Sequence, residues 1–145
     1  MAADKEYHSG NGDQGPEEVV QQFFASMMTL NVDEMKSRVS FPFCSVFVSP
    51  ENAYPLQIDT TEAEFEKRFS AFEQSFDGKS ELELEQAKKL FARTVFSNAQ
   101  IMMQGDSAYV TCVCEIGGGA RLQKLMSMLQ RTSSRWKIVF TTLPT

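Results

Sequence analysis

The chain has 145 residues, 42% of them hydrophobic, which suits one domain with a real core. A net charge of −5 argues against nucleic acid as the main partner, because neutralising phosphates needs a basic face. No apolar run approaches the ~20 residues of a membrane span, and residues 1–15 lack the apolar stretch of a signal peptide, so a cytoplasmic protein is expected.

Residues 1–15 are polar, glycine-rich and without period, and are expected to form a disordered tail before a domain at 16–145. Pro16 opens a helix, with Glu17 and Glu18 at the positive end of its dipole. Val19, Val20, Phe23, Phe24, Met27 and Met28 recur as pairs four apart, giving one wide apolar face. This helix should stop near Leu30 and Asn31, and Asp33 is expected to cap a short second helix over about 33–38.

Pro42 pushes Phe41 toward extended geometry, so residues 43–48 read as a strand. Pro50, Asn52 and Pro55 mark a loop, and Leu56 and Ile58 suit a second short strand. Thr61 and Glu64 form a capping-box signature. Phe65, Phe69, Phe72 and Phe76 then follow on one face of a helix over about 61–76. Ser80 and Glu83 repeat the signature, and early glutamates with late lysines favour a helix to about Leu90. The run Leu82-Glu-Leu-Glu also admits a strand reading.

From Arg93 the period changes to two. Strands are expected at 94–103, 108–116, 121–131 and 136–142, with turns at Gly105-Asp106 and Ser133-Ser134-Arg135 and a glycine connection at 117–119. Consecutive strands on short turns make an antiparallel meander. Ala108, Val110, Cys112, Cys114 and Ile116 share one face, as do Trp136, Ile138 and Phe140; these more apolar sets should meet the helices. The opposite face carries Tyr109, Thr111, Val113, Val139 and Thr141, which suits a second subunit.

The order of elements resembles the nuclear transport factor 2-like superfamily, which includes the polyketide-cyclase-like (SnoaL-type) proteins. The resemblance is carried by the strand, Gly-Asp turn and strand of residues 101–110, by Ser134-Arg-Trp-Lys-Ile-Val139, and by the first helices with the Phe-Pro step at 41–42. It covers about 16–142; the charged stretch 78–92 is longer than the family pattern. It implies an α+β fold, a cone-shaped curved antiparallel sheet against three to four helices. It also implies a pocket at the open end of the cone and a homodimer through the outer face of the sheet. Candidates to line that pocket are Phe24, Met28, Tyr54, Phe72, Cys112, Cys114, Trp136 and Phe140.

Proton-moving relatives use Asp, His or Tyr projecting into the cone. Here the one histidine, His8, lies in the leader, and Tyr54, Asp59, Arg93 and Glu115 are the remaining polar candidates. Strand parity sends Glu115 outward, and Asp59 reads as part of the loop entering the third helix. The three cysteines, Cys44, Cys112 and Cys114, form no CxxC and read as reduced core residues. No catalytic residue, metal or cofactor is therefore assigned. The leading expectation is a dimeric module that takes an apolar small molecule. The alternatives are an isomerase, dehydratase or cyclase, and a protein-interaction subunit using the outer sheet face.

Overall fold

The computed structural model describes residues 14–48, 54–74, 81–92, 95–116 and 121–144. Residues 1–13 of the expected tail, the 117–119 connection, Ser80, Arg93 and Phe76 lie outside these. Helix α1, Pro16–Met28, starts from Gly15 and buries Val19, Val20, Phe23, Phe24 and Met27, the face its periodicity predicts. It ends as Leu30 turns to φ 58, a left-handed position that lets the Asn31 N–H reach the Ser26 carbonyl at 2.9 Å.

Helix α2 is Val32–Lys36, starting one residue and ending two residues earlier than the sequence reading placed it. Its cap is Asn31, whose Oδ1 accepts from the Glu34 N–H at 3.2 Å, and Asp33 lies inside the helix instead. Helix α3, Glu62–Gln74, begins at the expected capping residues. Thr61 Oγ1 accepts from the Glu64 N–H at 3.2 Å, and the Glu64 carboxylate reaches back to the Thr60 N–H at 2.7 Å. Helix α4, Glu81–Ala92, resolves the ambiguous charged stretch as helical.

The strands are β1 Val39–Val48, β2 Gln57–Asp59, β3 Val95–Gln104, β4 Ser107–Ile116, β5 Arg121–Thr132 and β6 Arg135–Pro144. They form one open sheet in the order β2-β1-β6-β5-β4-β3. Every pairing is antiparallel except β1 with β6, so the sheet is mixed rather than wholly antiparallel. β1 begins four residues earlier than its apolar run suggests. Pro42 has no N–H for the ladder, and the β1–β6 register shifts between Val39 and Cys44, across that residue.

Two further register shifts, in β3–β4 and β5–β6, bend the sheet around the helices. Its inner face packs on α1, which touches β6, β3 and β4, and α3 closes the β2 edge. Phe65 stands at the centre of this second contact, with Phe41, Phe43 and Phe69 rings at 5.8, 5.5 and 4.6 Å.

The β5–β6 shift changes the faces of the last strand. Leu129 pairs with Ile138 and Met128 with Phe140, so Val139 is an extra residue without a partner. Beyond it the parity of β6 reverses. Phe140, expected inside, joins Met128 and Tyr109 on the outer face, and Thr141, expected outside, is fully buried opposite Ser127. Parity counted from Trp136 fails here because a bulge inserts one residue into a period of two.

Candidate functional site

The inner face of the sheet is apolar apart from one polar seam. Cross-strand register places Gln57 of β2, Ser45 of β1, Thr141 of β6 and Ser127 of β5 in a single row, continued by Val110 and Ile101. Ser127 and Thr141 satisfy each other through their hydroxyls at 2.7 Å. Ser45 Oγ, fully buried, makes no hydrogen bond.

Asp59 lies diagonally beside Ser45. It ends β2 opposite Phe43, and its side chain is 1% exposed. The Arg68 guanidinium of α3 holds only one of its oxygens: Nε and Nη2 both donate to Oδ1, at 3.0 and 2.7 Å. Oδ2 is buried without a hydrogen bond. Asp59 is thus part of the inner face and not of an exposed helix-entry loop.

A third unpartnered atom lies further along. Gln123 of β5 donates from Nε2 to the Val48 carbonyl, past the end of β6, and its Oε1 is buried with no donor. Gln123 pairs with Cys114, which pairs with Phe96, and Phe96 stacks on Phe24 of α1 at 5.1 Å. Leaving a buried polar atom unpaired costs about 1–3 kcal/mol, and these three atoms lie on one face of the sheet.

Of the expected pocket residues, Phe24, Cys112 and Cys114 are buried on this face and Met28 packs at its border. Trp136 is buried at the opposite end, under the Arg131 guanidinium at 5.0 Å, where it lines a basic cleft with Arg38, Arg135 and Lys137. Tyr54 is half exposed, and Phe140 is on the outer face as described. Phe72 belongs to α3, with its side chain outside the described residues.

Sequence reasoning missed Ser45, Ser127, Thr141 and Gln123. A signal existed for Ser45, since it shares parity with Phe43 and Phe47 in an otherwise apolar run. For β5 none existed: Gln123, Leu125, Ser127 and Leu129 alternate with Leu122, Lys124, Met126 and Met128, and both sets are mixed.

The thiols carry no partner charge. Burial pushes Cys112 up, and burial followed by the neighbouring Cys112 pushes Cys114 up to about 11. Well below the ordinary thiol value of 9.0 both folded and unfolded chains keep these protons. Between pH 9 and 11 the unfolded thiols ionise first, so folding stability should fall by on the order of 2 kcal/mol. Urea midpoints at pH 8 and 10.5 check this, and Cys114→Ala should flatten part of the difference. Among the described residues no group of three His, Cys, Asp or Glu gathers to hold a metal ion. No described helix is long and apolar enough to cross a membrane.

The outer face bears a different pattern. Met102, Tyr109, Met128, Phe140, Cys44 and Ile58 follow one another in register, one from each strand, as an apolar row across the sheet. Met102, Ile58, Tyr109 and Met128 are exposed. Val139 borders Tyr109 and Met128 in a shallow cleft, and Thr111 and Val113 are half-buried nearby.

No family model and no curated protein matches the chain. Solved structures do. A protein of unknown function with a cystatin-like fold from Nostoc punctiforme superposes with a TM-score of 0.60 at 13% identity, covering 88% of this chain and 86% of its own. A nuclear transport factor 2-like protein of unknown function from Shewanella baltica gives 0.55 at 15%, covering 96% and 92%. A protein provisionally called a ketosteroid isomerase, from Shewanella frigidimarina, gives 0.57 at 14%, covering 90% and 96%. The chain has the nuclear transport factor 2-like, cystatin-like α+β fold, a curved open sheet wrapped on helices.

Proposed function

We propose that this protein is a small-molecule-binding module of the SnoaL-like type that takes its ligand against the inner face of the cone. One observation carries the reading: the unpartnered Ser45 Oγ, Asp59 Oδ2 and Gln123 Oε1 on an otherwise apolar face. A few placed polar groups in an apolar lining are the usual composition of a ligand site. Phe24, Met28 and the Cys112–Cys114 edge supply the apolar part. Native mass spectrometry of protein purified from cells should show a bound small organic molecule. A cone filled by its own side chains in a crystal structure would sink the reading.

The apolar outer row supports a homodimer, with a second copy of this chain as its occupant. Exposed patches of this kind mark contact surfaces, and a two-fold dimer needs only one self-complementary patch. Light scattering at micromolar concentration should report a dimer. Tyr109→Arg, which places a charge in the middle of the row, should raise its dissociation constant about 100-fold or more. A strict monomer in the unsubstituted protein overturns the assembly. The three unpaired cysteines support a reducing, cytoplasmic setting.

A second reading is an isomerase-type enzyme with Asp59 as the proton carrier. It is favoured by the buried, free Oδ2 and by the ketosteroid isomerase name given to one fold neighbour. It predicts deuterium exchange α to the carbonyl of an apolar ketone, lost in Asp59→Asn. Exchange no faster than in buffer removes it.

A further inference from the structure

We propose that the basic cleft beside Trp136 binds a phosphate group, carried by the free ion or by a small ester. The site shares no residue with the inner-face site above and does not depend on it. The cleft is an open recess of about 220 Å³ whose charged lining is Arg38, Arg135 and Lys137. That volume lies below the ~300 Å³ at which ordinary drug-sized pockets begin, so it suits a compact head group. The chain as a whole carries a net charge of −5, yet no carboxylate lines this recess.

The three cations differ in how far they are committed. Arg38 is fixed in place: Nε and Nη2 donate to Gln22 Oε1 at 3.0 and 2.8 Å, and Nη1 donates to Glu34 Oε2 at 2.7 Å. Lys137 Nζ donates to the Ser37 carbonyl, which leaves two of its three hydrogens. Neither Lys137 nor Arg135 has an acidic partner among the described residues. Burial first, then Arg135 and Arg38, push the Lys137 ammonium below the ordinary lysine value. Two uncompensated charges held side by side, one of them partly desolvated, are relieved by a doubly charged oxyanion more than by a singly charged one. A phosphate carries close to two charges at neutral pH, and an arginine fork with a lysine point charge is a usual set of donors for it.

The backbone adds a further donor. Ile138 sends its N–H to the β1 edge of β6, where it binds the Arg38 carbonyl at 2.9 Å. By the period of two, Trp136 sends its N–H to the same edge. β1 begins only at Val39, opposite Ile138, so no residue of β1 accepts from Trp136. The recess opens on this unpaired stretch of strand, and an uncovered sheet edge is a known setting for anions.

The test titrates the full-length protein with inorganic phosphate, phenyl phosphate and phenyl sulfate, followed by calorimetry and amide shift mapping. Phenyl sulfate has the shape of phenyl phosphate with a single charge. Phosphate should shift the amides of residues 38 and 135–137, and phenyl sulfate should bind at least tenfold more weakly than phenyl phosphate. Arg135→Gln and Lys137→Gln should each weaken phosphate binding about tenfold. Lys124→Gln, which removes a cation from the exposed side of β5, should leave it within about twofold, which separates the site from net charge. Circular dichroism confirms that the variants fold. Inorganic phosphate that matches phenyl phosphate identifies the free ion, and a severalfold advantage for phenyl phosphate identifies an ester. Phenyl sulfate binding as well as phenyl phosphate, affinity that survives both cleft substitutions, or no shift at residues 38 and 135–137 in millimolar phosphate overturns the proposal.

Discussion

Arg68→Met is expected to destabilise the protein by about 3–5 kcal/mol. The asymmetry of the ion pair sets that size. Arg68 is one-quarter exposed, whereas Asp59 is 1% exposed and takes both of its charged hydrogen bonds from this one guanidinium. Removing Arg68 leaves a buried carboxylate with no counter-charge, because its second oxygen already lacks a partner. Asp59→Asn leaves only a cation that water can reach, so it should cost much less. The double variant, Arg68→Met with Asp59→Asn, should recover most of the loss, and urea unfolding of the four proteins measures the coupling directly. A loss below about 1 kcal/mol for Arg68→Met would mean that the pair behaves as a surface pair.

Phe65→Ala is expected to cost about 3–5 kcal/mol. Phe65 is fully buried and is the ring on which Phe41 and Phe43 of β1 and Phe69 of α3 converge. Truncation would remove the edge-to-face contacts to β1 and leave a void between α3 and the sheet, at the wall next to Asp59. Phe65→Leu, which keeps most of the volume, should cost less than about 1.5 kcal/mol. Thermal and urea denaturation separate the two. Equal losses for Ala and Leu would show that ring geometry, not filled volume, holds α3 in place.

The Phe65 helix shows how much of the fold could be read directly. Its Phe65 and Phe69, capping threonine and glutamate were all local in sequence, and each sits where periodicity and capping put it. The same holds for α1 and for the strands and turns of the meander. Asp59 was different. A three-residue strand has no readable period, and its burial depends on Arg68, which lies nine residues on and returns from another element. Phe140 and Thr141 were misassigned for a related reason. The bulge at Val139 is set by pairing with β5, and nothing in the β6 sequence announces it.

The sequence by itself determined α1 and α3, the meander with its Gly105-Asp106 and Ser133-Ser134 turns, and the inward apolar faces of α1 and β4, because each rests on local periodicity and capping. Tertiary structure alone decided which side of β6 faces the helices after Val139. It alone paired β1 in parallel with β6, and it alone brought Ser45, Asp59, Thr141, Ser127 and Gln123 onto one face. Register between distant strands is fixed by packing across the whole sheet, so the polar seam comes into being only when β1, β2, β5 and β6 are aligned.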